Sequence, residues 1–314
     1  MKNLEDIGED GLIERLLAQS PPCGGAVHQG PGDDCAVVEF SAGEWQLMKT
    51  DAVVEGVHFT AEENRRRVGW KAIARVVSDF AAMGGEGRYY LVTLGVPEIE
   101  RVEPLEELYR GMIDCLAVYG GQLVGGETSR AARGSGLWIV ISAVGVVEKS
   151  RLVLRSTARV GDRIMVTGHL GGSLAGKHLD FEPRVAQARW LAEKGYATAM
   201  MDLSDGLAKD LPRLAKASGC GYELLLDQLP CASGCGVEQA MQDGEDYELL
   251  FTVAADRVSE LRKDWSKLFP ELPLSAVGEM VAIEQSMALR GGWDHFDQGH
   301  RANDHARHGI GTDF

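Results

Sequence analysis

Carboxylates recur in short, mostly glycine-containing turns: Gly32-Asp33-Asp34, Lys49-Thr50-Asp51, Ser78-Asp79, Gly125-Gly126-Glu127-Thr128, Asp202-Leu203-Ser204-Asp205-Gly206 and Gly244-Glu245-Asp246. One such turn is ordinary, because aspartate caps helices and closes Asx-turns. Six in one chain point to carboxylates that converge, and converging carboxylates repel one another unless cations neutralise them. Hard oxygen ligands with hydroxyls nearby suit Mg²⁺, which keeps some of its waters and bridges to substrate phosphates. The chemistry these residue types predict is that of a magnesium–nucleotide site.

Other residues carry weaker signals. A helical wheel puts Asp79 opposite Trp70 and among Lys71 and Arg75, which predicts a solvated face. Gly171-Gly172-Ser173-Leu174-Ala175-Gly176-Lys177 fits the spacing of a phosphate-binding loop, but His178 stands where a metal-ligating Ser or Thr is needed. The simpler expectation is a glycine-rich helix start. Arg155, in Leu154-Arg155-Ser156-Thr157-Ala158, is either a surface charge or a phosphate clamp on an interdomain loop. Trp293-Asp294-His295-Phe296 either closes a core or offers an indole to a flat heterocycle.

These residues need a scaffold, and strand-like and helix-like stretches alternate along the chain. Strands are predicted over 35–40, 46–50, 89–96, 137–147, 163–167, 199–203, 222–226, 247–253 and 274–280. Helical spacing of apolar residues predicts helices over 69–83, 105–119, 172–179, 183–194, 207–218 and 257–268. The polar stretch Glu148–Gly161 is the expected boundary between an N-terminal domain, 1–149, and a C-terminal α/β domain, 150–314. The class is mixed α/β with two domains.

The chain has 314 residues, enough for two cores, and its 32 Lys plus Arg against 47 Asp plus Glu leave a net charge of -15. That balance argues against nucleic acid as a partner. No apolar run approaches the roughly 20 residues of a membrane span, and the N-terminus lacks the basic-then-apolar layout of a signal peptide. A cytoplasmic protein with no membrane partner is expected. Cys231 and Cys235 form a lone C-x3-C, and all six cysteines are expected as reduced thiols. The tail from about Gln298, with His300, His305 and His308, is expected as a polar surface extension rather than a metal site.

In order along the chain stand Gly32-Asp33-Asp34-Cys35-Ala36, Thr50-Asp51, Gly56-Val57-His58-Phe59, Val77-Ser78-Asp79-Phe80-Ala81-Ala82-Met83-Gly84 and Gly125-Gly126-Glu127-Thr128. Arg155-Ser156-Thr157-Ala158, Asp202-Leu203-Ser204-Asp205-Gly206-Leu207, Gly244-Glu245-Asp246-Tyr247-Glu248-Leu249 and Trp293-Asp294-His295-Phe296 complete the series. This series resembles the bacterial thiamine-monophosphate kinase family, of the aminoimidazole-ribotide-synthetase-like superfamily, from about residue 5 to residue 297. The resemblance implies a two-domain fold in which N-terminal domains of two copies pair into a β-barrel, making a homodimer. It implies ATP-dependent phosphorylation of thiamine monophosphate to thiamine diphosphate, by direct in-line transfer with several Mg²⁺ ions.

Position by position, the resemblance implies magnesium contacts at Asp34, Thr50, Asp51, Asp79, Asp202 and Asp205, with Lys49 and Glu127 at metal-site positions. Gly126, Glu127, Arg155, Ser204 and Tyr119 correspond to ATP contacts, with Asp79, Asp202 and Arg155 carrying catalysis. His58, Glu245 and Trp293 correspond to thiamine-phosphate contacts, and Asp33 supports Asp34. The sequence departs from the family pattern at Glu127, where Asp is usual, and at Lys49, where Ser or Thr is usual. A cation at position 49 either repels one Mg²⁺ or replaces part of its charge. The stretch Leu170–Arg184 is short, with Asp180-Phe181 in place of the usual Arg-Pro. Two other readings remain: another ATP-using enzyme of the superfamily, or a Mg-nucleotide-binding dimer impaired in catalysis.

Overall fold

The computed structural model describes residues 3–296, so the tail from Gln298, including His300, His305 and His308, lies outside the described residues. Eleven strands form two sheets among the described residues. The first comprises β1 (Val27–Gln29), β2 (Ala36–Glu39), β3 (Glu44–Val54), β4 (Glu86–Val96), β5 (Gln122–Arg130) and β6 (Trp138–Glu148), in the order β1-β2-β3-β6-β4-β5. All its pairs are antiparallel except β4 with β5. The second comprises β7 (Arg163–Thr167), β8 (Ala199–Asp202), β9 (Gly221–Leu224), β10 (Leu249–Val253) and β11 (Leu274–Val281), antiparallel throughout in the order β8-β10-β7-β11-β9. The helices are α1 (Gly8–Leu17), α2 (Arg65–Ala82), α3 (Val102–Tyr119), α4 (Lys177–Asp180), α5 (Val185–Glu193), α6 (Leu207–Ser218), α7 (Val237–Gln242) and α8 (Val258–Leu268). The fold is mixed α/β.

Local sequence explains most of these elements. In β6 the alternate residues Ile139, Ile141, Ala143 and Val147 are buried, as expected of a strand with one face on a core. β10, Leu249–Val253, is buried at every position, which fits a central strand covered on both faces. Asn64 caps α2 by accepting the Arg66 and Arg67 N–H groups at 2.9 and 3.3 Å. The crossing of α2 and α3 depends on two glycines. A Cβ on Gly69 would meet the Leu108 carbonyl oxygen at 1.9 Å, and one on Gly111 would meet that of Arg66 at 1.8 Å.

Three local expectations are corrected. Gly125-Gly126-Glu127-Thr128 is not a turn but part of edge strand β5, paired parallel to β4. A Cβ on Gly126 would meet the Val92 carbonyl oxygen at 1.9 Å, so this glycine permits close strand approach rather than chain reversal. The helix predicted over 172–179 is broken by Gly176 at φ +136, into a 3₁₀ turn at Ser173–Ala175 and α4. The face of α2 around Asp79 is not solvated, since Lys71 is 0% and Asp79 only 6% exposed. It is covered because β3, α4, α5 and β8 as well as α3 pack against α2, with β3 supplying the partners of Arg75 and Asp79.

Candidate active site

Asp34, Asp79 and Asp202 arrive from three separate segments. Asp34 lies in the turn before β2, Asp79 sits in the last turn of α2, and Asp202 closes β8. Each is buried, and one carboxylate oxygen from each lies within 4.8 Å of the others. Burial and crowding together shift Asp79 and Asp202. Burial pushes the Asp202 carboxyl up to about 6, with Asp34 adding to the shift. Burial also pushes Asp79 well above the usual carboxylate range, against the pull of Lys49 and with the push of Asp202, Asp51 and Asp34. Asp33, beside them, is raised to about 7 by burial and by Asp34.

The surrounding groups meet only part of this charge. Arg155 pairs with Asp34 Oδ1, and its backbone N–H donates to Asp33 Oδ2 at 3.0 Å. Asp34 Oδ2 and Arg155 Nε are buried without a hydrogen-bond partner among the described residues. Lys49 Nζ lies 2.7 Å from Asp79 Oδ1, while the Ser78 hydroxyl donates to Asp202 Oδ2 at 2.5 Å. Burial opposes the charge on Lys49, but Asp79 and Asp51 outweigh it and hold the ammonium protonated. As a donor-only cation, Lys49 is a countercharge to the carboxylates and not a metal ligand. An all-oxygen donor set with one buried, unpaired carboxylate oxygen fits a hard divalent cation such as Mg²⁺.

The remaining sequence-predicted residues divide. Asp51 shares the inward face of β3 with Lys49, where Arg75 binds it at 2.9 and 3.1 Å. Thr50 alternates to the opposite, exposed face, and its hydroxyl lies 3.2 Å from that of Ser142. The Asp205 carboxylate is paired with Arg213 at 2.6 Å rather than joined to the three aspartates. The N–H groups of Ser204 and Asp205 both donate to Asp210 Oδ2 at 3.0 Å, which shapes their turn. Gly126 and Glu127 lie on the exposed strand β5, Glu127 not being one of the clustered carboxylates, and Tyr119 packs edge-on against Trp70 at 5.9 Å.

His58 is linked to Trp293 through His295 and to Glu245 through Lys71, which also donates to the His58 carbonyl at 2.7 Å. The His58 ring is 5.5 Å from that of His295, which lies 5.9 Å from the Trp293 indole. Burial, together with Arg75, lowers His58 to about 3, so the imidazole is neutral. Its Nδ1 accepts the Val54 N–H at 3.0 Å, which assigns the proton to Nε2. Glu245 pairs with Lys71 and lies 3.1 Å from His178 Nδ1 and 3.8 Å from Arg75 Nη1. Burial opposes ionisation there, but Lys71, His178 and Arg75 carry the carboxyl well below its usual range. Glu245 and Tyr247 are the two non-glycine residues with positive φ among the described residues, at 63 and 49. Their turn is held by Glu245 N–H to Ser204 O at 2.7 Å and Tyr247 N–H to Leu203 O at 2.8 Å.

The glycine loop at 171–177 is not a phosphate cradle. The Gly171 N–H donates to the Asp246 carboxylate at 3.1 and 3.0 Å, and the Gly172 N–H to Asp243 at 2.9 Å. Lys177 turns to Glu248 at 3.2 Å. The chain's own carboxylates therefore fill the place an anion would take. The departing pair Asp180-Phe181 has a packing role. Asp180 binds Arg67, and Phe181 stacks on Tyr247 at 3.8 Å while its carbonyl accepts from Trp70 Nε1 at 3.0 Å.

Lys71, Arg75, Ser78 and His178 were not singled out from sequence as site residues. A signal existed: residues 72–83 are otherwise almost wholly apolar, so the charges at 71, 75 and 79 lie on a helix with no wet side.

Two family models match in tandem: AIR synthase related protein, N-terminal domain, over residues 32–147, and AIR synthase related protein, C-terminal domain, over residues 159–286. With the paired sheets and the acidic cleft, they define an AIR-synthase-related protein. A thiamine-monophosphate kinase of Rhodopirellula baltica is 37% identical over 80% of this chain and 83% of its own. That of Aquifex aeolicus is 33% identical over 93% and 99%. The solved structure of AaThiL complexed with AMPPCP and TMP superposes with a TM-score of 0.80 at 31% identity, covering 94% of this chain and 99% of that one. The chain belongs to the thiamine-monophosphate kinase family.

Proposed function

We propose that the protein phosphorylates thiamine monophosphate with ATP, giving thiamine diphosphate and ADP. The observation that carries this reading is the meeting of Asp34, Asp79 and Asp202, with Asp34 Oδ2 buried and unpaired. The curated relatives bear the corresponding name, and AMPPCP and TMP are bound in the solved relative.

In this reading a phosphate oxygen of thiamine monophosphate attacks the γ-phosphorus in line. The bond from γ-phosphorus to the β,γ-bridging oxygen breaks, and ADP leaves with that electron pair. The attacking phosphate is already ionised, so no side chain need act as a strong base. Mg²⁺, when bound, would neutralise charge on the transferring phosphoryl group. Asp34, Asp79 and Asp202 would hold it, and Arg155 would clamp a phosphate once freed from Asp34. Ser204, Tyr119, Gly126 and Glu127 are assigned to the nucleotide, the last two across strand β5. His58, with a neutral ring and a proton on Nε2, would donate to the acceptor, Glu245 would pair with its cationic ring, and Trp293 would pack on it.

We assign the nucleotide and pairing face to residues 1–149 and the opposite wall of the cleft to 150–314. The pairing face is the outer side of the first sheet, where Met48, Tyr89 and Leu91 are 46%, 51% and 45% exposed. A second copy of this chain is the proposed cover. The deciding experiment is incubation with Mg-ATP and thiamine monophosphate, with thiamine diphosphate detected by mass spectrometry. ADP release stimulated by a different acceptor, or nucleotide binding with no product under any divalent ion, would overturn the assignment.

A further inference from the structure

Between β3 and α2 the charges pair crosswise. Lys49 and Asp51 stand two residues apart on one face of a strand, a separation of about 7 Å. Arg75 and Asp79 stand four apart on one face of a helix, a separation of about 6 Å. Each element thus offers one cation and one anion at matching spacing. Lys49 reaches Asp79 Oδ1 at 2.7 Å, and Arg75 grips Asp51 through Nε at 2.9 Å and Nη2 at 3.1 Å. Asp202 has no ion pair among the described residues, only the Ser78 hydroxyl, and Asp34 keeps one oxygen buried and unpaired beside its contact with Arg155. Three of the four carboxylates therefore contact a cation of the chain, Asp34 through one oxygen only, while the second Asp34 oxygen and Asp202 remain uncompensated.

We infer that Lys49 and Arg75 are tethered cations standing in for divalent ions at Asp79 and Asp51, so that the nucleotide-free protein holds a single tight divalent ion, on Asp34 and Asp202. The inference rests on the metal-dependent reading above and, for the nucleotide-free protein, narrows its ligand set from Asp34, Asp79 and Asp202 to Asp34 and Asp202. A second dication near Asp79 or Asp51 would face an ammonium or guanidinium at contact distance, in a buried setting where repulsion is poorly screened. Fixed charge at these positions requires no capture of an ion from solution. The cleft should accordingly saturate at one divalent ion before nucleotide arrives, with further ions entering only as the nucleotide's counterions.

The test counts Mn²⁺ bound to the full chain without nucleotide, by electron paramagnetic resonance and calorimetric titration. The wild type should bind one tight Mn²⁺ per chain, Lys49→Met two, and Lys49→Arg one. Arg75→Gln should also bind two and serves if Lys49→Met does not fold. Two or more tight ions in the wild type overturn the inference, as does an unchanged count in both neutral variants or no tight Mn²⁺ at all. Product formation, assayed on the same wild-type preparation, separates the two ideas. Thiamine diphosphate from a chain that binds two ions sinks only the tethered-cation inference. One ion with the expected gain in the variants, but no product, sinks only the kinase assignment.

Discussion

Asp202 reaches the cleft with a serine hydroxyl beside it and no ion pair among the described residues, and burial and Asp34 raise its carboxyl to about 6. Replacing it with asparagine relieves repulsion while removing a ligand. Asp202→Asn is expected to lower turnover on the order of a hundredfold or more. The variant should unfold no earlier than wild type in chelator and lose the Mg²⁺-induced rise in Tm. Calorimetry with and without Mg²⁺ checks both. A marked fall in metal-free Tm would show the carboxylate to be stabilising on its own. Acidity gives a second expectation at this scale. Asp210 and Asp33 hold their protons to about 8 and about 7, against an ordinary 3.8. A raised folded-state value contributes stability that is complete at low pH and lost as pH climbs through it. His58 acts oppositely. Its folded value of about 3 against 6.5 means that acidification below 6.5 favours the unfolded chain. The metal-free protein should therefore gain stability from about pH 8.5 down to about 6.5, and Asp210→Asn should flatten that slope. Urea midpoints across this range test it, and a slope of the opposite sign would refute it.

α2 shows how one helix serves both core and cleft. Its buried apolar positions belong to the core, and the stripe Lys71, Arg75, Ser78 and Asp79 forms a buried polar wall, with Arg75 and Asp79 paired to β3 and Lys71 and Ser78 reaching Glu245 and Asp202 of the second half of the chain. Its position depends on backbone contact with α3 at Gly69 and Gly111. Gly69→Ala or Gly111→Ala should cost about 3 kcal/mol or more, because neither side can yield backbone. Denaturant unfolding reads this directly. The glycine loop at 171–177 gives the contrasting test. Its N–H groups are already filled by Asp246 and Asp243, so Lys177→Ala should leave nucleotide affinity within about twofold, whereas Arg155→Ala should lower it about tenfold or more. Isothermal titration with AMPPCP distinguishes them. Both elements were visible in sequence as helix and glycine turn. Their surroundings were not, because a wheel shows which residues share a face but not what covers it.

At the scale of the molecule the cleft exists only because two sheets and their helices meet. Asp34 and Asp79 come from the segment bearing the first sheet, while Asp202 and Glu245 come from the second. The outer face of the first sheet remains apolar and exposed at Met48, Tyr89 and Leu91, which a pairing surface would bury. Leu91→Asp should convert a dimer to a monomer in light scattering after gel filtration, and a wild type already monomeric at micromolar concentration would remove the pairing proposal.

Local order carried much of this in the chain alone. Apolar periodicity marked α6 and β7 at their observed ends, and the serial motifs around Asp34, Asp79, Asp202 and Glu245 named the residues that meet in the cleft. It did not mark β5, whose mostly exposed edge leaves no alternation to read, nor the short helix α7. Tertiary structure alone decided that the Lys49–Asp51 face of β3 is the one turned to α2, that Asp205 is spent on Arg213, and that Lys49 and Arg75 each find a carboxylate on the facing element. The reason is one of range. Propensity and periodicity act over a few residues, whereas charge compensation in a buried cleft depends on which side chains distant segments bring within about 3 Å.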